Sequence, residues 1–177
     1  MNYGEIKYCD IANGNGVRVS LFVSGCSHHC KDCFNPETWD YNYGKPFERD
    51  TWEEIFNGTK SFVNGLTLLG GDPCEPDNQR ALLPFLKEYK RRFPTKDIWC
   101  YTGYTYEQMI GESRANIECT DEFLSLIDYL VDGPFIAELK NIGLIFRGSS
   151  NQRIIYMKQT RRQNRIIQWE GIQRDKT

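Results

Sequence analysis

VRVSLFVSGCSHHCKDCFN, Val17 to Asn35, runs from a strand-type segment straight into three cysteines and two histidines packed within eight residues. Val17 to Ser24 is β-branched and apolar and ends at Gly25, a pattern that predicts a buried strand. Cys26, Cys30 and Cys33 are therefore expected on a loop just beyond the strand's C-terminal end. Ahead of the strand, NGNG (Asn13 to Gly16) predicts a tight turn, because its glycines tolerate positive φ.

Working outward, TWEEIFNGTKSFV (51–63) has the loose apolar spacing of a helix, weakened in its middle by Gly58. GLTLLGGDP predicts a second strand closed by Gly70, Gly71 and Pro73, and Asn78 to Phe93 an amphipathic helix stopped by Pro94. DIWCYT (97–102) reads as a third strand and Tyr106 to Gly111 as a helical stretch. Glu122 to Ile127 looks helical, and strands are expected at Tyr129 to Asp132 and at Leu144 to Arg147. Strand alternating with helix implies βαβ units, an α/β fold with a parallel sheet and right-handed crossovers. Ligands of such sheets sit at the strands' C-terminal ends. Three loops expected there carry unusual chemistry: GCSHHCKDC, GGDP and TGY.

The 177 residues fit one domain, and 40% hydrophobic residues with ten Tyr, ten Phe and four Trp supply a packed core. No segment reaches the roughly 18 apolar residues of a spanning helix, and MNYGEIKYCD lacks a basic-then-apolar secretory pattern. The expected compartment is the cytosol. Seven cysteines there, an odd number, point to metal or redox chemistry rather than a disulfide framework. The net charge of -2 hides an asymmetry: Arg147 to Thr177 holds eight Lys or Arg against two Asp or Glu. The expected organisation is a domain over 1–153 and a basic tail over 154–177, the tail serving either as a docking surface for an anionic partner or as a solvated end.

Two metal readings compete for the cysteine loop. Structural zinc would take Cys26, Cys30, Cys33 and one of His28 or His29, but such sites usually join ligand pairs from separated segments. Four ligands inside eight residues would close only one small loop. A four-iron cluster normally takes four thiolates, so three leave one iron open to a small molecule. The rival of a different class is a non-enzymatic zinc-binding adaptor whose basic tail grips nucleic acid or an acidic protein. GGDP and TGY at matching strand ends are features such an adaptor does not need.

CxxxCxxC after a strand resembles the signature of radical S-adenosylmethionine enzymes. DIANGNGVRVSLFVSGC with CKDCFNPETW, then LTLLGGDP, DIWCYTGY, LVDGPF and FRGSSNQR, resemble in order the activating proteins of anaerobic ribonucleoside-triphosphate reductases, over about Asn2 to Arg153. The resemblance implies a partial open β/α barrel, since the chain is short for the roughly 250 residues of a closed one. It implies one 4Fe-4S cluster on Cys26, Cys30 and Cys33, with the fourth iron chelated by the amino and carboxylate groups of S-adenosylmethionine. One electron passed to the sulfonium would give methionine and a 5'-deoxyadenosyl radical. That radical would take a hydrogen atom from a glycine Cα of the reductase, the protein substrate. The implied electron donor is reduced flavodoxin, and neither membrane nor nucleic acid is an expected partner.

Residue by residue, the resemblance places the methionine amino group at Gly70, Gly71, Asp72 and Pro73. It places the adenosyl part at Asp32, Cys33 and Phe34, and the carboxylate or ribose at Tyr101, Thr102 and Gly103. Arg147 to Arg153 would cap the open side of the sheet or meet the partner. Asn15 stands where the family usually has proline, and Asp32 where many superfamily members carry an aromatic residue. His28 and His29 are expected to face solvent, and Cys9, Cys74, Cys100 and Cys119 to be small buried hydrophobes. No second cluster is expected.

Overall fold

A computed structural model describes residues 1–171. Its centre is a strand with all six residues buried, β2 (Arg18–Val23). Val19, Leu21, Phe22 and Val23 supply the apolar surface that a strand covered on both faces requires, and the two polar residues, Arg18 and Ser20, are buried against hydrogen-bond partners. β1 (Asn2–Asp10) and β3 (Lys45–Pro46) lie antiparallel on one side, while β4 (Gly65–Gly70), β5 (Asp97–Tyr101) and β6 (Tyr129–Asp132) continue parallel to β2 on the other. β7 (Arg153–Tyr156) closes the row antiparallel to β6, giving the order β3-β1-β2-β4-β5-β6-β7. The fold is thus α/β with an open, mixed seven-stranded sheet.

Register puts the site loops side by side. Val23 pairs with Gly70, Leu68 with Cys100 and Tyr101 with Val131, so the parallel strands finish at a common edge. The helices are α1 (Arg49–Gly58), α2 (Pro76–Arg92), α3 (Tyr106–Ile110), α4 (Thr120–Leu126) and α5 (Met157–Gln163). Leu21, Leu68, Ile98 and Leu130 pack in the main core with Phe85 and Phe123 from the helices. On the other face Trp99, Val131 and Ile154 pack with Tyr129, Phe146 and Trp169. Fully buried Arg18 lies below Trp99, with Nη2 at 2.5 Å from Asp97 Oδ1 and Nε at 2.6 Å from Thr67 Oγ1.

Four expectations are corrected. The helix expected over 51–63 ends at Gly58, where Thr59 N–H caps Ile55 and Phe56 carbonyls. Leu144 to Arg147 is no strand: Phe146 sits at φ +54 and turns its ring edge-on to Trp99, 5.5 Å between centroids. The boundary expected after Arg153 falls inside β7, and Ile154, Ile155 and Met157 are buried, so the first part of the basic segment belongs to the sheet; residues 172–177 of it lie outside the described residues. Cys9, expected buried, is exposed at φ +61.

Candidate functional site

Three loops leave the sheet edge together. The first begins at Gly25, whose amide donates to Thr38 O at 2.8 Å, and Cys26 N–H donates to Trp39 O at 3.2 Å. Cys33 N–H donates back to Cys30 O at 3.1 Å, making a tight turn through Asp32 at φ +56. Cys26, Cys30 and Cys33 are all free thiols of intermediate exposure. Burial pushes the Cys26 thiol up to about 12, with the Asp72 and Glu75 charges adding to it, while the backbone amides of His28 and His29 point at the sulfur and work the other way. Cys30 is raised by burial and receives an amide from Phe135.

Amides aimed at sulfur are the contacts that stabilise a thiolate or a cluster sulfur. Three free thiols on one short loop, two of them, Cys26 and Cys30, with backbone amides beside the sulfur, fit an iron-sulfur cluster by donor chemistry. Among the described residues, no three His, Cys, Asp or Glu side chains stand close enough to hold a single metal ion.

The second loop follows β4. Gly70 is at φ +106, and a Cβ on Gly71 would lie 2.6 Å from Gly25 O and 2.8 Å from Thr38 O, so the GGDP backbone lies directly against the cysteine loop. Asp72 is buried, and its carboxylate is committed to the protein. Oδ1 accepts from Cys74 N–H at 2.8 Å. Oδ2 accepts from Thr102 Oγ1 at 3.0 Å and Gly103 N–H at 2.9 Å. His28 Nε2 stands 2.9 Å from the same oxygen, an ion-pair distance off the line of a well-aligned hydrogen bond. Burial opposes protonation of His28, but the Asp72 carboxylate at this distance, helped by the Glu75 charge, outweighs it and raises its pKa. The expectation that His28 faces solvent is corrected: it is inserted between loops, its ring 4.4 Å from that of Tyr104. His29 is exposed and stacks on Trp39 at 4.7 Å.

The third loop follows β5. Thr102 is buried, donates through its amide to Val131 O at 2.9 Å and accepts from Tyr104 N–H at 3.1 Å. The Tyr101 hydroxyl is buried without a partner among the described residues, and burial raises its pKa. Phe34, by contrast, is 93% exposed at the outer end of the cysteine loop. A shallow, open depression beside Cys26 is lined by Ser27, His29, Trp39, Asp40 and Tyr41. Cys74 is buried with its sulfur 3.8 Å from Cys100 Sγ, in the core.

Sequence reasoning missed Glu75. Its fully buried carboxylate accepts from Ser27 N–H at 3.0 Å, Ser27 Oγ at 2.5 Å, Tyr104 Oη at 3.2 Å and Arg114 Nη2 at 3.0 Å. An acidic residue directly beside a buried cysteine was the one available signal; its partners lie 29 to 48 residues away.

Comparison with known proteins adds to this geometry. A family model described as a 4Fe-4S single cluster domain matches residues 12–155. The anaerobic ribonucleoside-triphosphate reductase-activating protein of Haemophilus influenzae is 43% identical over 157 residues, covering 87% of this chain and 97% of the relative. The protein of that name from Escherichia coli K12 is 40% identical over 161 residues, 89% and 100% of the two chains. That of Enterobacteria phage T4 is 41% identical over 155 residues, 87% and 93%.

Proposed function

Because the chain belongs to the family of anaerobic ribonucleoside-triphosphate reductase-activating proteins and carries their 4Fe-4S single cluster domain, we propose that it is a radical S-adenosylmethionine oxidoreductase that places a glycyl radical on such a reductase. When bound, a reduced 4Fe-4S cluster supplies the electron that cleaves S-adenosylmethionine to methionine and a 5'-deoxyadenosyl radical. The open sheet with four parallel central strands supports reading the fold as a partial β/α barrel of this superfamily.

The observation that carries the reading is the convergence of a three-thiol loop with the GGDP and TGY loops at one sheet edge. Cys26, Cys30 and Cys33 would hold the cluster. Gly70 and Gly71, without side chains, leave backbone open to the methionine amino group. Asp72 and Thr102, expected as cofactor contacts, have their oxygens engaged with the neighbouring loops, and we assign them the task of shaping the cofactor's seat. Asp32 and Phe34 stand on the exposed outer turn, where Phe34 offers an aromatic face to the adenosyl group. Among the described residues, no helix is long and apolar enough to cross a membrane, in keeping with a cytosolic reading and a soluble donor such as reduced flavodoxin.

The test is to mix the reconstituted, reduced protein anaerobically with S-adenosylmethionine and an anaerobic ribonucleoside-triphosphate reductase, then record the electron paramagnetic resonance spectrum. A glycyl radical on the reductase, with one 5'-deoxyadenosine formed per radical, is the expected result. A cluster-loaded protein that yields neither overturns the proposal, and a colourless protein holding one zinc and no acid-labile sulfide would favour the adaptor reading.

A further inference from the structure

Both peptide amides that flank the Cys26 side chain are clamped, and by different elements. Cys26 N–H is held by Trp39 O at 3.2 Å, and Ser27 N–H by Glu75 Oε1 at 3.0 Å. The Ser27 hydroxyl bonds the same oxygen, so Glu75 grips this residue twice. Among the described residues Cys30 and Cys33 have no equivalent: the Cys33 amide is tied to Cys30, within its own turn. Cys26 is the thiol whose backbone is fixed before any ligand arrives.

Glu75 joins all three loops. It immediately precedes α2, on the segment that carries Gly71 and Asp72; through Tyr104 it reaches the loop after β5; through Ser27 it reaches the cysteines. Burial opposes its ionisation, but the bonds from Ser27 and Tyr41 and the charge of Arg114 outweigh it and lower its pKa. Arg114 is 57% exposed, so water screens its positive charge and it offsets the buried anion only in part. A fully buried carboxylate this well supplied with donors is a fixed point.

We propose that Glu75 is a positioning residue: it locks the backbone behind Cys26 so that this thiolate meets the cluster in one orientation, and its negative charge beside the cluster holds the reduction potential low. The proposal rests on the cluster reading above. Partners of ligands in other metal sites act in this way, and charge near an iron-sulfur cluster is one of the determinants of its potential.

The test uses the full chain, first free of iron and then reconstituted anaerobically. Glu75→Ala removes the acceptor; Glu75→Gln keeps an acceptor for Ser27 and removes the charge. In the iron-free chain, amide hydrogen exchange over residues 26–30 is expected to accelerate about tenfold in Glu75→Ala and to stay near wild type in Glu75→Gln. After reconstitution, the midpoint potential should rise in Glu75→Gln, and Glu75→Ala should cleave S-adenosylmethionine about 10–100-fold more slowly with KM little changed. Unchanged exchange in Glu75→Ala overturns the proposal whatever the cluster does. If Glu75→Ala does not fold, an unchanged potential in Glu75→Gln overturns it. Wild-type protein that loads a cluster and cleaves no S-adenosylmethionine, while Glu75→Ala exchanges faster, overturns the functional reading and leaves the clamp standing.

Discussion

Thr102 Oγ1 donates a 3.0 Å hydrogen bond to Asp72 Oδ2, binding the loop after β5 to the loop after β4. The same oxygen takes the Gly103 amide and faces His28, while Oδ1 takes the Cys74 amide. Asp72→Asn cannot satisfy both sides: if its oxygen faces Thr102 and Gly103, its NH2 faces a donor at Cys74. A buried donor left unsatisfied costs about 1–3 kcal/mol. Denaturant unfolding of the iron-free protein should show a loss of that size, and an unchanged midpoint would remove Asp72 from its role as the tie.

Gly71→Ala tests the contact between the second loop and the first. The new Cβ would meet backbone oxygens of Gly25 and Thr38 at 2.6 and 2.8 Å, and neither can swing aside as a side chain would. Overpacking of this kind costs about 1–3 kcal/mol. The variant should melt earlier and bind S-adenosylmethionine poorly even when iron content is normal; full binding at wild-type stability would contradict the packing described.

Phe34→Ala separates stability from function. At 93% exposure the ring has almost nothing to lose on truncation, so the iron-free variant should unfold within about 0.5 kcal/mol of wild type. A rise in KM for S-adenosylmethionine at unchanged stability would place the ring on the cofactor, and an unchanged KM would remove it from there.

Replacing Cys26, Cys30 or Cys33 with Ala should abolish the cluster, whereas Cys74→Ala, a change inside the core, should retain it at a modest cost in stability. Iron and acid-labile sulfide analysis decides the matter. Cluster loss in Cys74→Ala together with retention in Cys33→Ala would reverse the ligand assignment.

Arg153 bridges fully buried Asp132 at 2.5 Å and Glu107 at 2.7 Å. Arg153→Ala strands the Asp132 charge, which keeps the Tyr106 amide, so about 3 kcal/mol should be lost, at the lower end for a broken buried pair. The Arg153 hydrogen bonds hold the Glu107 carboxyl down, against the small cost of its burial, to about 2 from an ordinary value of 4.5. Its contribution is therefore full above pH 4.5 and is lost as pH falls from 4.5 toward 2. Glu107 is 57% exposed, which limits the gain to a fraction of about 1 kcal/mol. The melting-temperature gap between wild type and Glu107→Gln should close on acidification across that window; a gap that widens would refute the assignment.

The four parallel strands were legible because each is a short apolar run ending at a turn residue. β1 was not: NYGEIKYCD contains a glycine and three charged residues, and its strand character comes from pairing with β2 rather than from its own periodicity. β7 offers only Ile154 and Ile155 as apolar signal, inside a segment whose basic charge suggested a tail. LIFR had the composition of a strand, but its aromatic ring is used to cover Trp99 from a turn. That the cysteine loop, Gly70 and Gly71 fall together at strand ends could be read from the strand pattern. The role of the site's carboxylates as ties between loops could not be, since Asp72 finds Thr102 and Gly103, and Glu75 finds Ser27, Tyr104 and Arg114, across the sheet edge.

The tie from Glu75 to Ser27 spans 48 positions of chain. All three thiols are made early, yet the groups that fix their loop arrive only once β4, β5 and the segment to Arg114 have been laid down, so contacts of high sequence separation must form before the loop takes its final shape. On the proposed ligand assignment, readiness to accept iron is then a late event in the birth of this protein. A chain halted after β2 and its loop would display every sulfur and none of the scaffolding, and metal offered at that stage would meet a flexible chelator instead of a seat.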